Sequence, residues 1–359
     1  MENEFLPKIG ITIGDVNGIG PEVLLKAIST SRINKICTPI IYGSGKHLSR
    51  YKQFIDLHHW QYVGINEPRQ AQSKNSSLIN CLKGEYFELE LGKKDPKAGK
   101  LAFDALERAT NDLKKGDIDA LVTAPISKEN IQNENFKFPG HTEYLAKKFD
   151  KNQVLMLMVS DDLRIGVVTG HVPVSEIKNK LTKELISEKL RIFIDSLKID
   201  FGIQKPKIAV LGLNPHAGEN GLLGEEENNV IIPVIREFTQ NGNVVIGPFP
   251  TDGFFANGSY KKFDGILAMY HDQGLTPFKM MAFETGVNFT AGLMGIRTSP
   301  DHGTAFDIAG KNQADPNSML SAIYLAVDIA KKRKEYVELE TNALKHQKID
   351  LENLKKEKH

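Results

Sequence analysis

The chain has 359 residues, 40% hydrophobic and 25% charged, a composition typical of a globular protein with about two domains. Lys plus Arg number 46 and Asp plus Glu 45, and a net charge of +1 does not favour nucleic acid or an anionic membrane as a partner. Cys37 and Cys81 lie far apart and predict no disulfide, which fits a reducing cytoplasm. We expect no signal peptide after the acidic start MENEFLPKIGITIGD, and no run approaches the roughly 18 apolar residues of a membrane span.

The first third of the chain alternates short apolar runs with amphipathic stretches. PKIGITIGD, ICTPIIYGSG and IDALVTAPI are predicted strands. GPEVLLKAISTS and AGKLAFDALERATNDLKKG are predicted helices, the first with Pro21 near its start and the second ended by Gly116. Residues 62–95 predict loops with a short strand or two. This alternation predicts an α/β fold.

The second half continues the same alternation. VLMLMVSDDLRIGVVTG predicts two strands joined by an Asp-Asp turn, and VSEIKNKLTKELISEKLRIFIDSLKI predicts one long helix. A strand at 207–213 and the helix NNVIIPVIREFTQNG follow. DGILAMYHDQGLTPFK predicts a strand that ends in a loop with a Pro and a Lys. From residue 317 the chain is predicted to be helical, and its last 20 or so residues to be a solvated helix or a frayed tail.

Three histidines each follow an apolar run: His171, His216 and His271. In open α/β sheets, ligands bind beyond the carboxyl ends of the strands, so a shared position there favours one cleft. Imidazoles in such a cleft would hold a divalent metal and leave coordination positions for a substrate. Their distant spacing is a weak metal signal, and each histidine taken singly is more readily explained as structural.

Polar residues in two further segments are candidates for holding an anion. His141 and Thr142, in FPGHTEYLA, stand ahead of a predicted helix, where they would donate to a carboxylate or phosphate. The alternative is that Thr142 caps the helix. Lys279, Asn288 and Arg297 recur every nine residues among apolar neighbours and would clamp an anionic substrate. The alternative is that they are solvated loop residues.

Two glycine-rich segments do not match known nucleotide-binding loops. GDVNGIGPE lacks the GxGxxG spacing, and YGSGKH lacks the first Gly and the final Ser or Thr of a phosphate loop. SPDHGTAFDIAGKNQADPNS carries small and acidic residues and leads into a helix at about Asn317. It predicts a backbone that approaches an anionic or flat ligand near a helix amino terminus, or else a tight crossover loop.

These segments together resemble a known family. HGTAF followed by DIAGKNQADPNS is similar to the nicotinamide-cofactor loop of the isocitrate and isopropylmalate dehydrogenases. The wider set GDVNGIGPE, TAPISKE, FPGHTEYLA, VVTGHVPV, LNPHAGENGLLGEEE, GPFPTDGFF, MYHDQGLTPFK and GIRTSPDHGTAFDIAG resembles the 4-hydroxythreonine-4-phosphate dehydrogenases of vitamin B6 biosynthesis. The resemblance runs from about residue 10 to residue 325.

The resemblance implies two α/β/α domains around a cleft, as in isopropylmalate dehydrogenase. A cofactor-side domain would comprise residues 1–128 and 290–359, and a metal, substrate and dimerisation domain residues 129–289. It also implies a homodimer with the active site at the subunit interface and metal ligands from both subunits.

The resemblance further implies roles for individual residues of this sequence. The metal ligands would be His171, His216 and His271, holding Zn, Co or Mg, and the substrate residues His141, Thr142, Lys279, Asn288 and Arg297. Asp252, in PTDGFF, is a candidate for orienting the substrate or a ligand histidine. NAD, or alternatively NADP, would lie against His302, Gly303, Thr304, Ala305 and Asp307.

The implied activity is a metal-dependent oxidation of 4-phosphohydroxy-L-threonine followed by loss of carbon dioxide, carried out in the cytoplasm. Related dehydrogenases acting on four-carbon sugar-acid phosphates, such as phosphothreonate, or on aromatic dihydrodiol acids share much of this pattern. A non-catalytic metal and phosphate sensor would explain the histidines and cations but not the dinucleotide-type loop. A metal-dependent aldolase or hydrolase fails on the same point.

Overall fold

The computed structural model describes residues 5–30, 32–134 and 136–342, and the charged tail predicted at the carboxyl end lies beyond them from residue 343. Twelve strands of the described chain form one sheet, and helices pack against it, which confirms the α/β class. The strands are β1 Lys8–Thr12, β2 Thr38–Gly43, β3 Val63–Ile65, β4 Ser77–Asn80, β5 Ala120–Thr123, β6 Leu155–Ser160, β7 Leu163–Thr169, β8 Lys207–Leu211, β9 Val244–Phe249, β10 Gly265–Tyr270, β11 Val287–Ala291 and β12 Ile296–Pro300.

The helices predicted near residues 20, 98, 228 and 317 form close to those positions, whereas the helices at Ile33–Ile36, Gly45–Phe54 and Thr251–Ala256 were not predicted. The helices are α1 Gly20–Ile28, α2 Ile33–Ile36, α3 Gly45–Phe54, α4 Pro96–Lys115, α5 His141–Lys148, α6 Ile177–Lys180, α7 Lys183–Ile199, α8 Ile232–Gln240, α9 Thr251–Ala256, α10 His271–Ala282 and α11 Asn317–Thr341. None of the described helices is long and apolar enough to cross a membrane.

Helix α4 illustrates how local sequence sets an element. The Asp95 side chain accepts a hydrogen bond from the Lys97 amide at 2.8 Å and so satisfies a free donor of the first turn. Pro96 occupies the first helical position, where its missing N–H is not needed. Gly116 ends the helix with φ 77°, a left-handed conformation that suits glycine.

The sheet has two parallel halves joined by an antiparallel centre. Its order is β3-β4-β2-β1-β5-β12-β11-β6-β7-β10-β8-β9. Pairing is parallel from β3 to β12 and again from β7 to β9, whereas β11 is antiparallel to both β12 and β6, and β6 is antiparallel to β7. The direction of the strands therefore changes at the middle of the sheet, where a ligand crevice is expected. The predicted domain boundary at 289–290 passes through β11, and the division into two domains stays a prediction.

The single long helix predicted after residue 174 is wrong. The segment forms a short turn of 3-10 helix at Val174–Glu176, then α6, then α7. The Thr182 hydroxyl accepts a hydrogen bond from the Leu185 amide at 3.2 Å and starts α7 anew. The segment is helical as its periodicity predicts, but the capping Thr182 within it divides the helix.

The loop predicted after His271 is also wrong, because α10 begins at that residue and includes Pro277. Tertiary contacts stabilise this helix despite the proline. The Gln273 side chain accepts from the Met269 amide at 2.6 Å and donates to the Gly212 carbonyl at 2.5 Å. Leu275 and Phe278 are buried in a cluster with side chains of β7, β8 and β10. Burial on the sheet thus overrides the helix-breaking tendency of proline.

The packing of α4 on the segment after β5 gives a test of the fold. A Cβ at Gly99 would lie 1.9 Å from the Asn130 carbonyl oxygen, so Gly99→Ala forces the backbone apart. Alanine gains about 1 kcal/mol of helix propensity, but we expect overpacking to cost more and to lower the melting temperature by several degrees.

The matched control is Gly253→Ala in α9, where an added Cβ meets nothing within 4 Å. We expect this variant to melt at or above the wild-type temperature, as measured by calorimetry of both proteins. Equal melting temperatures for Gly99→Ala and wild type would contradict the close contact.

Candidate functional site

A cleft of about 360 Å³ opens at the centre of the sheet, where the strand direction changes. Side chains from β5, β6, β11 and β12, from the start of α5, from the end of β7 and from α10 converge on it. Its polar lining consists of Thr123, Lys128, His141, Thr142, Glu143, His171, His271, Lys279, Asn288, Arg297, Ser299, Asp301 and His302. Such a mixture of cations, carboxylates and imidazoles favours a small, highly polar ligand.

The three strands that precede the predicted metal histidines are neighbours. Strands β7, β10 and β8 lie side by side in parallel, so their carboxyl ends meet at one edge of the sheet. His171 and His271 both line the cleft, with their ring centroids 5.5 Å apart. His216 follows β8 after a longer connection and is not among the residues that line this cleft.

His216 instead begins a left-handed turn. Residues 216–220 all have positive φ, between 45° and 80°, although only Gly218 among them lacks a side chain. Left-handed conformations cost about 1–2 kcal/mol for each ordinary residue, so the surrounding structure must hold the turn. The buried Glu227 carboxylate does so by accepting hydrogen bonds from the backbone amides of Leu213 and Asn214 at 2.7 and 2.8 Å. The turn leaves His216 exposed to solvent.

Both cleft histidines have a carboxylate beside Nδ1. His271 Nδ1 lies 2.7 Å from Asp272 Oδ1, and His171 Nδ1 lies 3.6 Å from Glu143 Oε1. The His171 imidazole lowers the pKa of Glu143 below its usual value. A carboxylate on Nδ1 orients an imidazole and directs Nε2 toward another ligand. Within the described residues, no group of three or more His, Cys, Asp or Glu side chains is placed to hold a metal.

Arg297 forms the floor of the cleft and is only 3% exposed. Its Nη2 donates to Thr123 Oγ1 at 2.8 Å, its Nη1 to Thr290 Oγ1 at 3.3 Å, and Nη2 also contacts His141 Nδ1 at 3.2 Å. Burial lowers the pKa of the guanidinium to about 10, so it remains charged at neutral pH. A buried cation bonded to hydroxyls and an imidazole attracts an anion into the cleft.

Lys279 and Asn288 also face the cleft, from elements that the sequence did not predict for them. Lys279, in α10 rather than in a loop, forms an ion pair with Asp301 at 3.2 Å. Asn288 lies in β11. Burial raises the pKa of Asp301, and the charge of Lys279 opposes that rise.

His141 and Thr142 are the first two residues of α5, and Thr142 does not cap it: the capping position belongs to Gly140.

Several buried polar atoms of the cleft have no hydrogen-bond partner. They are His141 Nε2, Glu143 Oε2, Asn288 Oδ1, Asp301 Oδ2 and His302 Nε2. Nearly all buried polar atoms in folded proteins are bonded, and leaving one unpaired costs about 1–3 kcal/mol. Five such atoms in one cleft indicate a site built to receive a polar ligand.

The predicted cofactor loop reaches the cleft with its first residues only. His302 and Gly303 line the cleft, whereas Thr304 turns back, and its carbonyl accepts a hydrogen bond from the Ile19 amide at 2.9 Å. Ala305 has φ 38°, and Asp307 is exposed in a 3-10 turn. The predicted orienting residue Asp252 is exposed in α9 and is not part of the cleft lining.

Five polar residues of the cleft lining were not predicted from the sequence: Thr123, Lys128, Glu143, Ser299 and Asp301. Thr123 ends the buried strand β5, so its position beyond a strand could have identified it. Glu143 lies two residues after His141, and Asp301 lies directly before His302. Lys128 lies in the quoted segment TAPISKE, and only the fold shows that it faces the cleft.

The fold is that of the isocitrate dehydrogenase-like α/β proteins. Isocitrate dehydrogenase from Methylococcus capsulatus superposes with a TM-score of 0.50 at 12% identity, over 94% of this chain and 89% of that one. The chain belongs to the family of pyridoxal phosphate biosynthetic protein PdxA, whose family model matches residues 35–326.

Relatives of the chain carry two different substrate names. A 4-hydroxythreonine-4-phosphate dehydrogenase from Bacteroides thetaiotaomicron is 50% identical over 95% of this chain and 93% of its own length. A D-threonate 4-phosphate dehydrogenase from Cupriavidus necator is 40% identical over 92% and 99%. The crystal structure of a 4-hydroxythreonine-4-phosphate dehydrogenase from Klebsiella pneumoniae matches with a TM-score of 0.78, at 34% identity, over 92% of this chain and 99% of that one.

The charge pattern of the cleft predicts that a simple anion stabilises the protein. Inorganic phosphate at about ten times its Kd should add about 1.4 kcal/mol to the free energy of unfolding and so raise the melting temperature. We expect Lys279→Ala to weaken this phosphate-dependent rise, because Lys279 is a cation of the cleft.

Lys205→Ala, at an exposed site before β8, is the matched control and should keep the wild-type rise. Thermal melts of wild type, Lys279→Ala and Lys205→Ala at increasing phosphate concentrations measure the rise in melting temperature. A rise of equal size in all three would mean that phosphate does not bind beside Lys279.

Proposed function

We propose that this protein is a cytoplasmic, NAD-dependent 4-hydroxythreonine-4-phosphate dehydrogenase that oxidises 4-phosphohydroxy-L-threonine at C3. Loss of carbon dioxide from the resulting β-keto acid gives 3-amino-2-oxopropyl phosphate, a step of vitamin B6 biosynthesis. The observation that carries the proposal is the polar cleft, in a chain 50% identical over 95% of its length to a relative of that name.

The residues of the cleft fit a phosphorylated amino acid. Lys279 and Arg297 supply two positive charges, one near the rim and one at the buried floor, for the carboxylate and the phosphate. The unpartnered Asn288 Oδ1 can accept a hydrogen bond, and the Thr142 hydroxyl can donate one. These groups would hold C3 in one orientation and displace water from around it.

The cleft histidines also fit a divalent metal such as Zn, Co or Mg. Asp272 beside Nδ1 of His271 and Glu143 beside Nδ1 of His171 leave both Nε2 atoms for a metal. When bound, the metal would supply Lewis-acid stabilisation of negative charge that develops on a substrate oxygen.

A nicotinamide cofactor fits beside the same cleft. NAD, or alternatively NADP, would lie against residues 302–307, where Gly303 has open space around its Cα and His302 has an unpartnered Nε2. When bound, it would accept the hydride from C3. The carbonyl of Thr304, bonded to the start of α1, anchors that loop.

The third metal ligand, His216, would come from a second subunit of a homodimer. Two histidines of one chain line the cleft, whereas His216 points to solvent on its left-handed turn. Exposed apolar side chains accompany both regions: Leu222 beside the turn is 80% exposed, and Met280 beside Lys279 is 83% exposed. Apolar side chains so exposed on a folded protein favour burial against a partner.

The experiment that tests the activity is NADH formation by metal-stripped protein supplied with NAD and 4-phosphohydroxy-L-threonine. We expect turnover only after Zn²⁺, Co²⁺ or Mg²⁺ is added. Lys279→Ala should raise KM strongly, because it removes one of the two positive charges that we assign to the anionic groups.

A second candidate, oxidation of D-threonate 4-phosphate, is favoured by the relative of that name at 40% identity. At C2, 4-phosphohydroxy-L-threonine carries an amine and D-threonate 4-phosphate a hydroxyl. Both carry a carboxylate and a phosphate, so the cations of the cleft suit either substrate. Parallel assays decide: turnover on D-threonate 4-phosphate alone would keep the chemistry and change the substrate. No turnover on either would contradict both.

Mixed dimers test the shared metal site. Subunits carrying His216→Ala and subunits carrying His271→Ala should each be inactive alone. In a mixed dimer, one site regains His171 and His271 from one subunit and His216 from the other. Random mixing makes half the dimers mixed with one good site each, so we expect about a quarter of wild-type activity.

The matched control mixes His171→Ala subunits with His271→Ala subunits, whose lesions lie on the same side of the interface. No activity should return there. Equal activity in the two mixtures would mean that each metal is held by the histidines of one chain.

A further inference from the structure

We propose that Arg297 is a positioning residue that holds His141 as a neutral imidazole with its proton on Nε2, directed into the cleft. His141 would then donate a hydrogen bond to a substrate oxygen and would be unable to act as a base there. The proposal rests on the proposed function only for the identity of that oxygen, since the proton position belongs to the free protein.

The contact between the two side chains defines the proton position. Arg297 Nη2 lies 3.2 Å from His141 Nδ1. A guanidinium has five N–H donors and no acceptor, so Nδ1 must accept in this pair. A neutral imidazole has one donor and one acceptor nitrogen, and with Nδ1 accepting, the proton lies on Nε2.

Arg297 is held firmly enough to impose this arrangement. Its Nε and Nη2 donate to Thr123 Oγ1 at 3.1 and 2.8 Å, and its Nη1 donates to Thr290 Oγ1 at 3.3 Å. These threonines lie in β5 and β11, on either side of the β12 strand that carries Arg297. Both threonine side chains are fully buried, so the guanidinium has one orientation.

The surroundings of His141 keep the ring neutral. Desolvation in the cleft, followed by the charges of Arg297 and Lys128, places the pKa of His141 well below its usual value. No carboxylate of the described residues forms an ion pair with Arg297, although the charge of Glu143 acts on the guanidinium. The positive charge of Arg297 therefore stands directly beside the ring without a bonded carboxylate. A second proton on this imidazole would need to point Nδ1–H at the guanidinium.

The other side of the ring faces the ligand. Nε2 of His141 is buried, has no hydrogen-bond partner, and belongs to a residue that lines the cleft. A buried N–H without a partner is costly, so a ligand oxygen at this place gains a strong, preorganised donor. A carboxylate, phosphate or hydroxyl oxygen of the substrate has the required acceptor chemistry.

Nitrogen NMR of the full protein labelled with ¹⁵N-histidine tests the proton position directly at pH 7.5. We expect the His141 signals, assigned by their loss in His141→Gln, to show a neutral ring protonated on Nε2. Arg297→Met removes the donor and should give a mixture of tautomers, whereas Arg297→Lys keeps a donor and should restore the Nε2-protonated form. A wild-type ring protonated on Nδ1, or an Arg297→Met spectrum identical to wild type, would overturn the proposal.

Two substitutions of His141 provide a second test that does not alter the buried arginine. The amide nitrogen of Gln reaches the position of Nε2, whereas that of Asn reaches only Nδ1. We expect His141→Gln to keep kcat/KM within about tenfold of wild type and His141→Asn to lose about 100-fold or more. The reverse order would overturn the donor role.

The two experiments separate this inference from the proposed activity. A wild-type protein without dehydrogenase activity would contradict the proposed function, yet the NMR spectra would still decide the proton position. An active enzyme with the wrong tautomer would contradict this inference alone.

Discussion

The antiparallel pairing of β11 with both β12 and β6 is the constraint on which the rest of the molecule depends. It joins two parallel half-sheets into one and reverses the strand direction at their meeting point. Within each half the parallel strands deliver their carboxyl ends to one edge, and a ligand crevice is expected where the strand direction reverses. Asn288 on β11 and Arg297 on β12 are thereby brought into the same cleft as histidines from the other half-sheet.

The electrostatics of the cleft follow from that placement. Arg297 is buried between strands, and the hydroxyls of Thr123 and Thr290 receive its hydrogen bonds in place of a carboxylate. Its charge is therefore available to a ligand, whereas the charge of Lys279 is shared with Asp301. The cation at the floor of the cleft is thus held by hydroxyls without an ion pair, whereas the cation at the rim is paired with Asp301.

The left-handed turn that begins at His216 is strained in its backbone, and it holds the imidazole in an exposed position. Five successive positive φ angles turn the chain after β8 and leave the His216 imidazole exposed to solvent. The carboxylate of Glu227 compensates by binding the backbone amides at the base of the turn. Strain of this kind persists where the surrounding structure enforces it, and it is common at functional sites.

The sequence by itself determined many of the strands and helices, because these depend on local periodicity and residue type, whereas β9, β11, β12, α3 and α9 were not predicted. Buried apolar runs identified β1, β2, β5, β7, β8 and β10, and the histidine after such a run marked a strand end. Only the tertiary structure decided that α10 continues through Pro277, since packing on the sheet offsets the lost hydrogen bond. It alone also decided that Arg297 contacts His141, because the two residues are 156 positions apart in the sequence and meet only through the order of the strands.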